Sequence, residues 1–295
     1  MENKKRLIVT IDTEMDADIH WKKREPMAFS SVVEGIPCLL RPIWDAYSIN
    51  PIYFVSPEVV EDPACCAVLK AEIARGAVIG AHLHPEYIEP ERHSPNEVAA
   101  ECFPCFGCDT DLEREKLRNL KRLIETKLGV TPIWYRAARF GADADTYGIL
   151  EELGFRHDSS QTPGIDWSVK GGPNHRDCAP ESARIPGTGL YEHPVTICGK
   201  RWGILGRLLP DNWLFYRWLR PTHMTCWEQK RLLRELNRSG RTELVMMFHS
   251  MEPMVNKTPY VRSGWMQRYY LWRLRETIAY ARKLGYSTYE LENEI

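Results

Sequence analysis

Two histidines one residue apart, His82 and His84, are the clearest chemical signal in this sequence. Residues with this spacing on a strand point to the same face, so both imidazoles could hold one metal ion. An acidic pair with the same spacing, Asp12 and Glu14, ends the first strand-like run. α/β folds place their chemistry at the carboxyl ends of strands. Two imidazoles and one carboxylate leave an open metal position for water, which predicts a metal-dependent hydrolase.

The acidic pair leaves two assignments open. One carboxylate could ligate the metal while the other stays free as a general base, and we expect Glu14 to be the ligand and Asp12 the base. Glu86, four residues after His82, is an alternative ligand. The competing interpretation is an acidic turn followed by two half-exposed loop histidines.

Four more residues stand at or near strand ends. His249 follows an apolar run and suits a general acid for the leaving group. Arg136 emerges from a buried strand and needs a carboxylate partner, for which Asp12 is one candidate. Asp158 could fix the tautomer of His249 by accepting from one ring nitrogen. Arg139 is expected to be structural. The competing interpretations are a structural loop histidine for His249, a rim salt bridge for Arg136 and an Asx-turn for Asp158.

A cysteine-rich segment contains Cys102, Cys105 and Cys108. Three cysteines at two-residue gaps resemble part of an iron–sulfur or zinc site. A fourth cysteine is not nearby, so the segment favours loop packing over a second metal site.

The whole-chain properties narrow the class of protein. The 295 residues suit one α/β barrel with rim-loop insertions, a single domain over 1–295. A net charge of −1 and a pI near 6.8 show no excess of basic residues that would bind nucleic acid. Nine cysteines without a secretion signal favour reduced thiols in the cytoplasm. Nothing approaches a transmembrane span.

Strand-like and helix-like segments alternate, which predicts a parallel sheet covered by helices. The predicted strands are 6–11, 52–55, 78–82, 133–136, 155–158, 190–196, 243–249 and 286–289. The predicted helices are 30–47, 63–75, 111–128, 143–153, 225–237 and 264–284. A Gly- and Pro-rich stretch over 164–186 predicts a long loop.

Five segments taken together resemble the polysaccharide deacetylase family, which is also called the NodB-homology family or carbohydrate esterase family four. The likeness runs in order from residue 6 to about residue 290, through Thr10-Ile11-Asp12-Thr13-Glu14, Gly80-Ala81-His82-Leu83-His84, Tyr135 to Gly141, Phe155 to Ser160, and Met247-Phe248-His249-Ser250. The run His82-Leu83-His84-Pro85 is similar to a subgroup associated with lipopolysaccharide and other surface-glycan biosynthesis.

The resemblance implies a distorted (β/α)7 barrel that removes acetyl groups from sugars through a divalent metal. Zinc is the first expectation, with nickel, cobalt or manganese as alternatives. Asp12 would be the base, His82 and a second histidine would hold the metal, Arg136 would orient Asp12, and His249 would protonate the leaving group.

Two positions depart from the family's pattern. The family usually has a second Asp where this chain has Thr13, so either Glu14 replaces it or Asp12 itself binds metal. The usual second histidine falls at Glu86, which makes His84 the better ligand.

The expected substrate is an acetylated sugar in a glycan precursor, nucleotide- or lipid-linked. Two rival functions are an amidohydrolase or deformylase acting on another small amide, and an inactive glycan-binding homologue. The stretch 206–221 mixes arginines with Trp213 and Trp218, which suits a membrane interface or a sugar-stacking wall. A helix packed on the barrel is the favoured interpretation of that stretch.

Overall fold

The computed structural model describes residues 4–23, 25–94, 106–201 and 213–290, except the side chain of Trp213. The strands are β1 (Arg6–Thr13), β2 (Ile52–Val55), β3 (Val78–Leu83), β4 (Trp134–Ala137), β5 (His157–Asp158), β6 (Ala183–Arg184), β7 (Tyr191–Glu192), β8 (Ile197–Lys200), β9 (Tyr216–Trp218), β10 (Glu243–His249) and β11 (Ser287–Thr288). The longer helices are a π-type helix (Ser31–Leu40), α1 (Arg41–Tyr47), α2 (Pro57–Glu61), α3 (Pro63–Ile73), α4 (Thr110–Leu128), α5 (Ala144–Glu152), α6 (Cys226–Arg238) and α7 (Gly264–Lys283). Single 3₁₀ turns occupy Pro85–Tyr87, Ala138–Phe140, Ser168–Lys170 and Trp213–Phe215.

One curled sheet organises the chain, in the strand order β10-β1-β2-β3-β4-β5-β7-β6, with β11 paired to β1. The seven strands from β10 to β7 run parallel, and β6 adds an antiparallel edge. Between β7 and β10, Val245 donates to Thr196 Oγ1 at 2.8 Å, and Met247 donates to the Leu219 carbonyl at 3.3 Å. This is the predicted distorted (β/α)7-type barrel.

Alternation along the strands separates an inner layer from an outer one. Ile8, Val78, Trp134 and Val245 pack together with a few neighbours in one cluster inside the curled sheet. Leu7, Val9 and Ile11 belong to the larger cluster under the helices.

Because side chains alternate along a strand, residues four places after each inner apolar residue share its face. On β1, β3 and β10 those positions are Asp12, His82 and His249, and on β4 Arg136 lies two after Trp134. An apolar plug therefore lies beneath a polar rim.

Three predicted segments differ from the structure. The predicted strand 190–196 is limited to β7, and the loop 164–186 contains a 3₁₀ turn and β6. The expected helix in 206–221 is wrong for the part that is described, since β9 pairs with β8 there.

That same segment was a candidate for membrane contact. Trp218 is 1% exposed and Leu219 is fully buried, so neither side chain can reach a bilayer. Residues 202–212 and the Trp213 side chain lie outside the described part of the chain. No helix within that part is long and apolar enough to cross a membrane.

Candidate metal centre and catalytic site

Two strand ends bring Glu14, His82 and His84 together at the polar rim. The Glu14 Oε1 atom lies 3.0 Å from His82 Nε2 and 3.1 Å from His84 Nε2. One ligand atom from each of the three buried residues lies within 4.8 Å of the other two. Across the described ranges, this is the one His, Cys, Asp and Glu group whose geometry could hold a metal ion.

The second nitrogen of each imidazole has a partner that orients the ring. His82 Nδ1 lies 2.8 Å from the Arg136 carbonyl oxygen, and His84 Nδ1 lies 3.1 Å from Glu86 Oε1. A carbonyl or carboxylate oxygen accepts a hydrogen bond from Nδ1–H, which leaves the Nε2 lone pair directed at the centre. Two such nitrogens and a carboxylate oxygen are a donor set that zinc and similar divalent cations accept.

The charges around the centre also favour a cation. Burial acts to raise the pKa of Glu14, but the charges of Lys23 and His84 outweigh it and hold that pKa well below its usual range. Burial acts to lower the pKa of His84, yet it is raised because the Glu14 and Glu86 carboxylates lie beside the ring. The same two carboxylates would attract a metal ion, which binds the neutral imidazole once its proton has left.

Glu86 lies behind His84 rather than in the centre. Its Oε1 atom also lies 3.2 Å from Arg139 Nη2, and burial is outweighed by His84 so that the pKa of Glu86 is lowered. The geometry therefore places Glu14 among the donor atoms and gives Glu86 the position of a supporting carboxylate. Arg139 forms an ion pair with the Glu86 carboxylate.

Asp12 stands beside the centre on β1, and its two oxygens have different environments. Oδ1 accepts from Arg136 Nη1 at 2.7 Å, while Oδ2 lies 3.9 Å from His249 Nε2. Burial acts to raise the pKa of Asp12, but the charge of Arg136 outweighs it and the pKa is lowered. Asp12 is therefore ionised, with one oxygen facing the site.

Arg136 is fully buried and donates four hydrogen bonds. Nε donates to the Ser159 carbonyl at 2.9 Å, Nη2 donates to Ser159 Oγ at 2.7 Å, and Nη1 also donates to Thr10 Oγ1 at 3.0 Å. The predicted pairing with Asp12 is present, and it offsets the cost of burying the guanidinium together with the three other hydrogen bonds.

His249 faces the centre with Nε2, which lies 3.8 Å from Glu14 Oε1. Its Nδ1 atom lies 3.2 Å from both Glu252 Oε1 and Arg220 Nη2. Burial acts to raise the pKa of Glu252, but Arg220 and His249 outweigh it and lower that pKa to about 2. The ion pair of Arg220 and Glu252 therefore fixes the ring orientation.

The prediction that Asp158 orients His249 is wrong. Asp158 accepts from the backbone and the hydroxyl of Ser160 at 3.0 and 2.7 Å, and burial raises its pKa. It lies on β5, which pairs with β4 and β7, whereas His249 lies on β10 beside β1. Glu252 takes the orienting position, and its spacing three residues after His249 was the signal in the sequence.

Sequence reasoning also missed two residues of the loop that follows β1. Lys23 Nζ lies 2.6 Å from Glu14 Oε2. The half-buried Trp21 ring meets the His249 ring at 5.1 Å and the Tyr260 ring at 5.8 Å, both edge-on. No periodicity marks either residue, because the loop folds back over the rim without regular structure.

Cys108 is the cysteine of the cysteine-rich segment that lies among the described residues. Cys102 and Cys105 lie outside the described residues, and Cys108 is a half-buried free thiol whose pKa burial raises. The expectation of loop packing stays a prediction.

Comparison with known proteins supports the fold. No family model matches the chain, and no curated protein matches it. A Mycobacterium smegmatis protein assigned to the polysaccharide deacetylases is similar at 16% identity, covering 100% of this chain and 96% of that one, with a TM-score of 0.51. Puue allantoinase is similar at 13% identity, covering 96% and 86%, with a TM-score of 0.57. At such identities the likeness establishes the shared barrel.

Proposed function

We propose that this protein is a metal-dependent deacetylase that hydrolyses an N- or O-linked acetyl group on a sugar. The observation that carries the proposal is the convergence of Glu14, His82 and His84, with Asp12 and His249 on the adjacent strands β1 and β10. On this proposal the metal ligands, the general base and the general acid lie together at one rim of the barrel. The resemblance of the five sequence segments to polysaccharide deacetylases supports the same conclusion.

Glu14, His82 and His84 would hold the cation, for which zinc is the first candidate. When bound, a divalent cation supplies Lewis-acid polarisation of the acyl carbonyl and lowers the pKa of water. Asp12 accepts the proton of the attacking water at Oδ2, because Arg136 occupies Oδ1 and keeps the carboxylate ionised.

His249 completes the reaction as the general acid. Its Nε2 donates a proton to the leaving nitrogen or oxygen as the acyl bond breaks, so acetate and a free amine or alcohol are released. Glu252 and Arg220 hold the ring from behind. The His249 side chain is 18% exposed, more than those of Glu14, His82 and His84, and this places it where a leaving group can exit.

We infer an acetylated sugar in a surface-glycan or lipopolysaccharide precursor as substrate, nucleotide- or lipid-linked and met in the cytoplasm. Trp21, half-buried against His249, offers an aromatic wall on which a pyranose ring can pack.

A second candidate is hydrolysis of a small cyclic amide. The solved structure with the higher of the two TM-scores is that of an allantoinase, 0.57 against 0.51. The same base, acid and ligands would serve that reaction, and only the loops around the rim would have to differ.

The decisive test begins with metal content. We expect about one equivalent of divalent metal in the wild type, as for a single three-ligand site, its loss in His84→Ala, and its retention in the control His93→Ala, an exposed histidine nearby. Asp12→Asn should keep the metal and lose turnover. Loss of metal in Asp12→Asn would instead make Asp12 a ligand.

Activity then separates the candidates. Acetate released from acetylated sugar nucleotides or glycolipids supports the deacetylase, and ring opening of allantoin supports the second candidate. A folded wild type that takes up no metal would refute both candidates and favour a glycan-binding role.

A further inference from the structure

The outer surface of α6 and α7 exposes an unusual set of aromatic side chains. Trp227 is 67% exposed, Trp265 65%, Trp272 46% and Tyr269 37%. Among the side chains that the structure describes, Trp227, Trp265 and Trp272 are all of the exposed tryptophans. Such rings normally lie inside a protein or at an interface, so this surface needs a partner.

Arginines share the surface with these rings. The exposed residues of α6 follow one another at intervals of three or four residues. Those of α7 are separated by three, four or seven residues. These intervals place each series in one stripe along its helix. We define the basic aromatic face as Trp227, Arg231, Arg234 and Arg238 of α6 with Trp265, Arg268, Tyr269, Trp272, Arg275 and Arg282 of α7.

The two stripes are neighbours on one surface. Lys230 Nζ lies 2.6 Å from Glu276 Oε2, and Arg234 Nε donates to the Tyr280 hydroxyl at 3.1 Å. Both contacts join residues 46 apart, so the helices run side by side in the same direction. With this offset of 46 residues, Trp227 of α6 lies level with the residue of α7 that follows Trp272.

The charge of this region is opposite to that of the whole chain. α6 and α7 carry nine basic and three acidic residues, a net charge of +6, whereas the full chain carries −1. The field of this surface therefore attracts polyanions, although the molecule as a whole does not.

We propose that the basic aromatic face docks on an anionic phospholipid surface. Trp and Tyr place an apolar body at the acyl boundary and a polar tip among the headgroups. Arginines beside them bind lipid phosphates, and basic residues near a membrane add attraction to anionic lipids.

Two other partners fit the observations less well. A second copy of the chain would bring two positive faces together. Nucleic-acid bases need open ring faces, but the Trp265 and Tyr269 planes are 1° apart at 5.6 Å, and Tyr269 also stacks on Trp272 at 5.6 Å. The middle ring is therefore covered on both sides.

The basic aromatic face begins near the polar rim of the barrel. α7 follows the loop that leaves β10 after His249, so its first turn lies at the end of the barrel where the strands finish. Trp265 lies in that turn, and Tyr269 and Trp272 come next. Docking through the rings would bring the candidate site close to the lipid surface.

Co-sedimentation of the full chain with vesicles tests the proposal. We expect binding to phosphatidylcholine vesicles that contain phosphatidylglycerol and none to pure phosphatidylcholine. Arg268→Gln with Arg275→Gln should weaken binding roughly 10- to 30-fold, since each basic residue contributes about fivefold near the surface. The matched control Arg122→Gln with Lys127→Gln, on exposed positions of α4, should bind like the wild type.

The rings are tested by Trp265→Ala with Trp272→Ala, which should abolish binding while circular dichroism shows an intact fold. Equal loss in the α4 control, or no binding of the wild type at low salt, would overturn the proposal. Dimerisation that the tryptophan variant abolishes, without lipid binding, would assign the face to a second copy instead. Metal content is measured separately, so failure here leaves the proposed hydrolase intact.

Discussion

Replacing Arg136 by methionine tests whether the buried ion pair with Asp12 is held by its charges. In the metal-free protein the substitution keeps most of the side-chain volume, and removes the bond to Asp12 Oδ1 along with those to Ser159 and Thr10. Asp12 is 2% exposed, so its charge cannot be rescued by water. We expect unfolding free energy to fall by about 3–5 kcal/mol, as for other buried pairs that lose one partner.

The pH dependence separates this cause from simple loss of packing. Because Arg136 lowers the pKa of Asp12, the pair stabilises the wild type above the unfolded pKa, and this contribution is lost as pH falls. In Arg136→Met burial is opposed only by the smaller effects of His82 and His249, so the protonated carboxyl is favoured more than in the wild type. The stability gap between wild type and variant should therefore be widest near neutral pH and should narrow as pH approaches about 4.

Urea unfolding of the metal-free wild type, both single variants and the double variant Asp12→Asn with Arg136→Met measures the coupling. The neutral amide removes the stranded charge, so the double variant should recover at least about 1.5 kcal/mol relative to the sum of the single effects. A cost below about 1 kcal/mol for Arg136→Met, a gap that is constant with pH, or additive single effects would refute the reasoning.

Three further outcomes follow from the structure. Glu252→Gln should keep the metal and lower kcat/KM by about 10- to 100-fold, because the ion pair with Arg220 that orients the His249 ring is lost; an unchanged kcat/KM would contradict this. Burial raises the pKa of Glu113 to about 7, so stability is lost as pH rises from 4.5 to 7, and Glu113→Gln should add about 2–3 kcal/mol at pH 8 and nothing at pH 4 in thermal unfolding. Gly80→Ala should cost roughly 1–3 kcal/mol in urea unfolding, since its Cβ would lie 2.5 Å from the Phe54 ring; a neutral effect would mean that the ring has room to move.

Much of the fold could be predicted from the sequence because strand and helix signals are local. Apolar runs ended by Gly or by polar clusters marked β1, β2, β3, β4 and β10 close to their observed limits. The short strands β5, β6 and β7 could not be placed as well, since a two-residue strand leaves no periodicity to detect.

The sequence by itself determined which side chains share a face. A spacing of two where the chain leaves a strand places Asp12 with Glu14 at the end of β1, and His82 with His84 at the end of β3, whatever the strand pairs with. The apolar runs before Arg136 and His249 likewise predicted that both residues lie near strand ends, where α/β folds place catalytic residues.

Only the tertiary structure decided which of these residues meet. Strand register set Asp12 opposite His249 and His82 opposite Arg136, at long sequence separations that no local pattern encodes. The folded loop brought Lys23 onto Glu14, and the turn after β10, rather than β5, supplied the carboxylate behind His249. Contacts between distant segments depend on how the sheet curls and how the loops pack, so only the assembled barrel excluded Asp158 as the partner of His249.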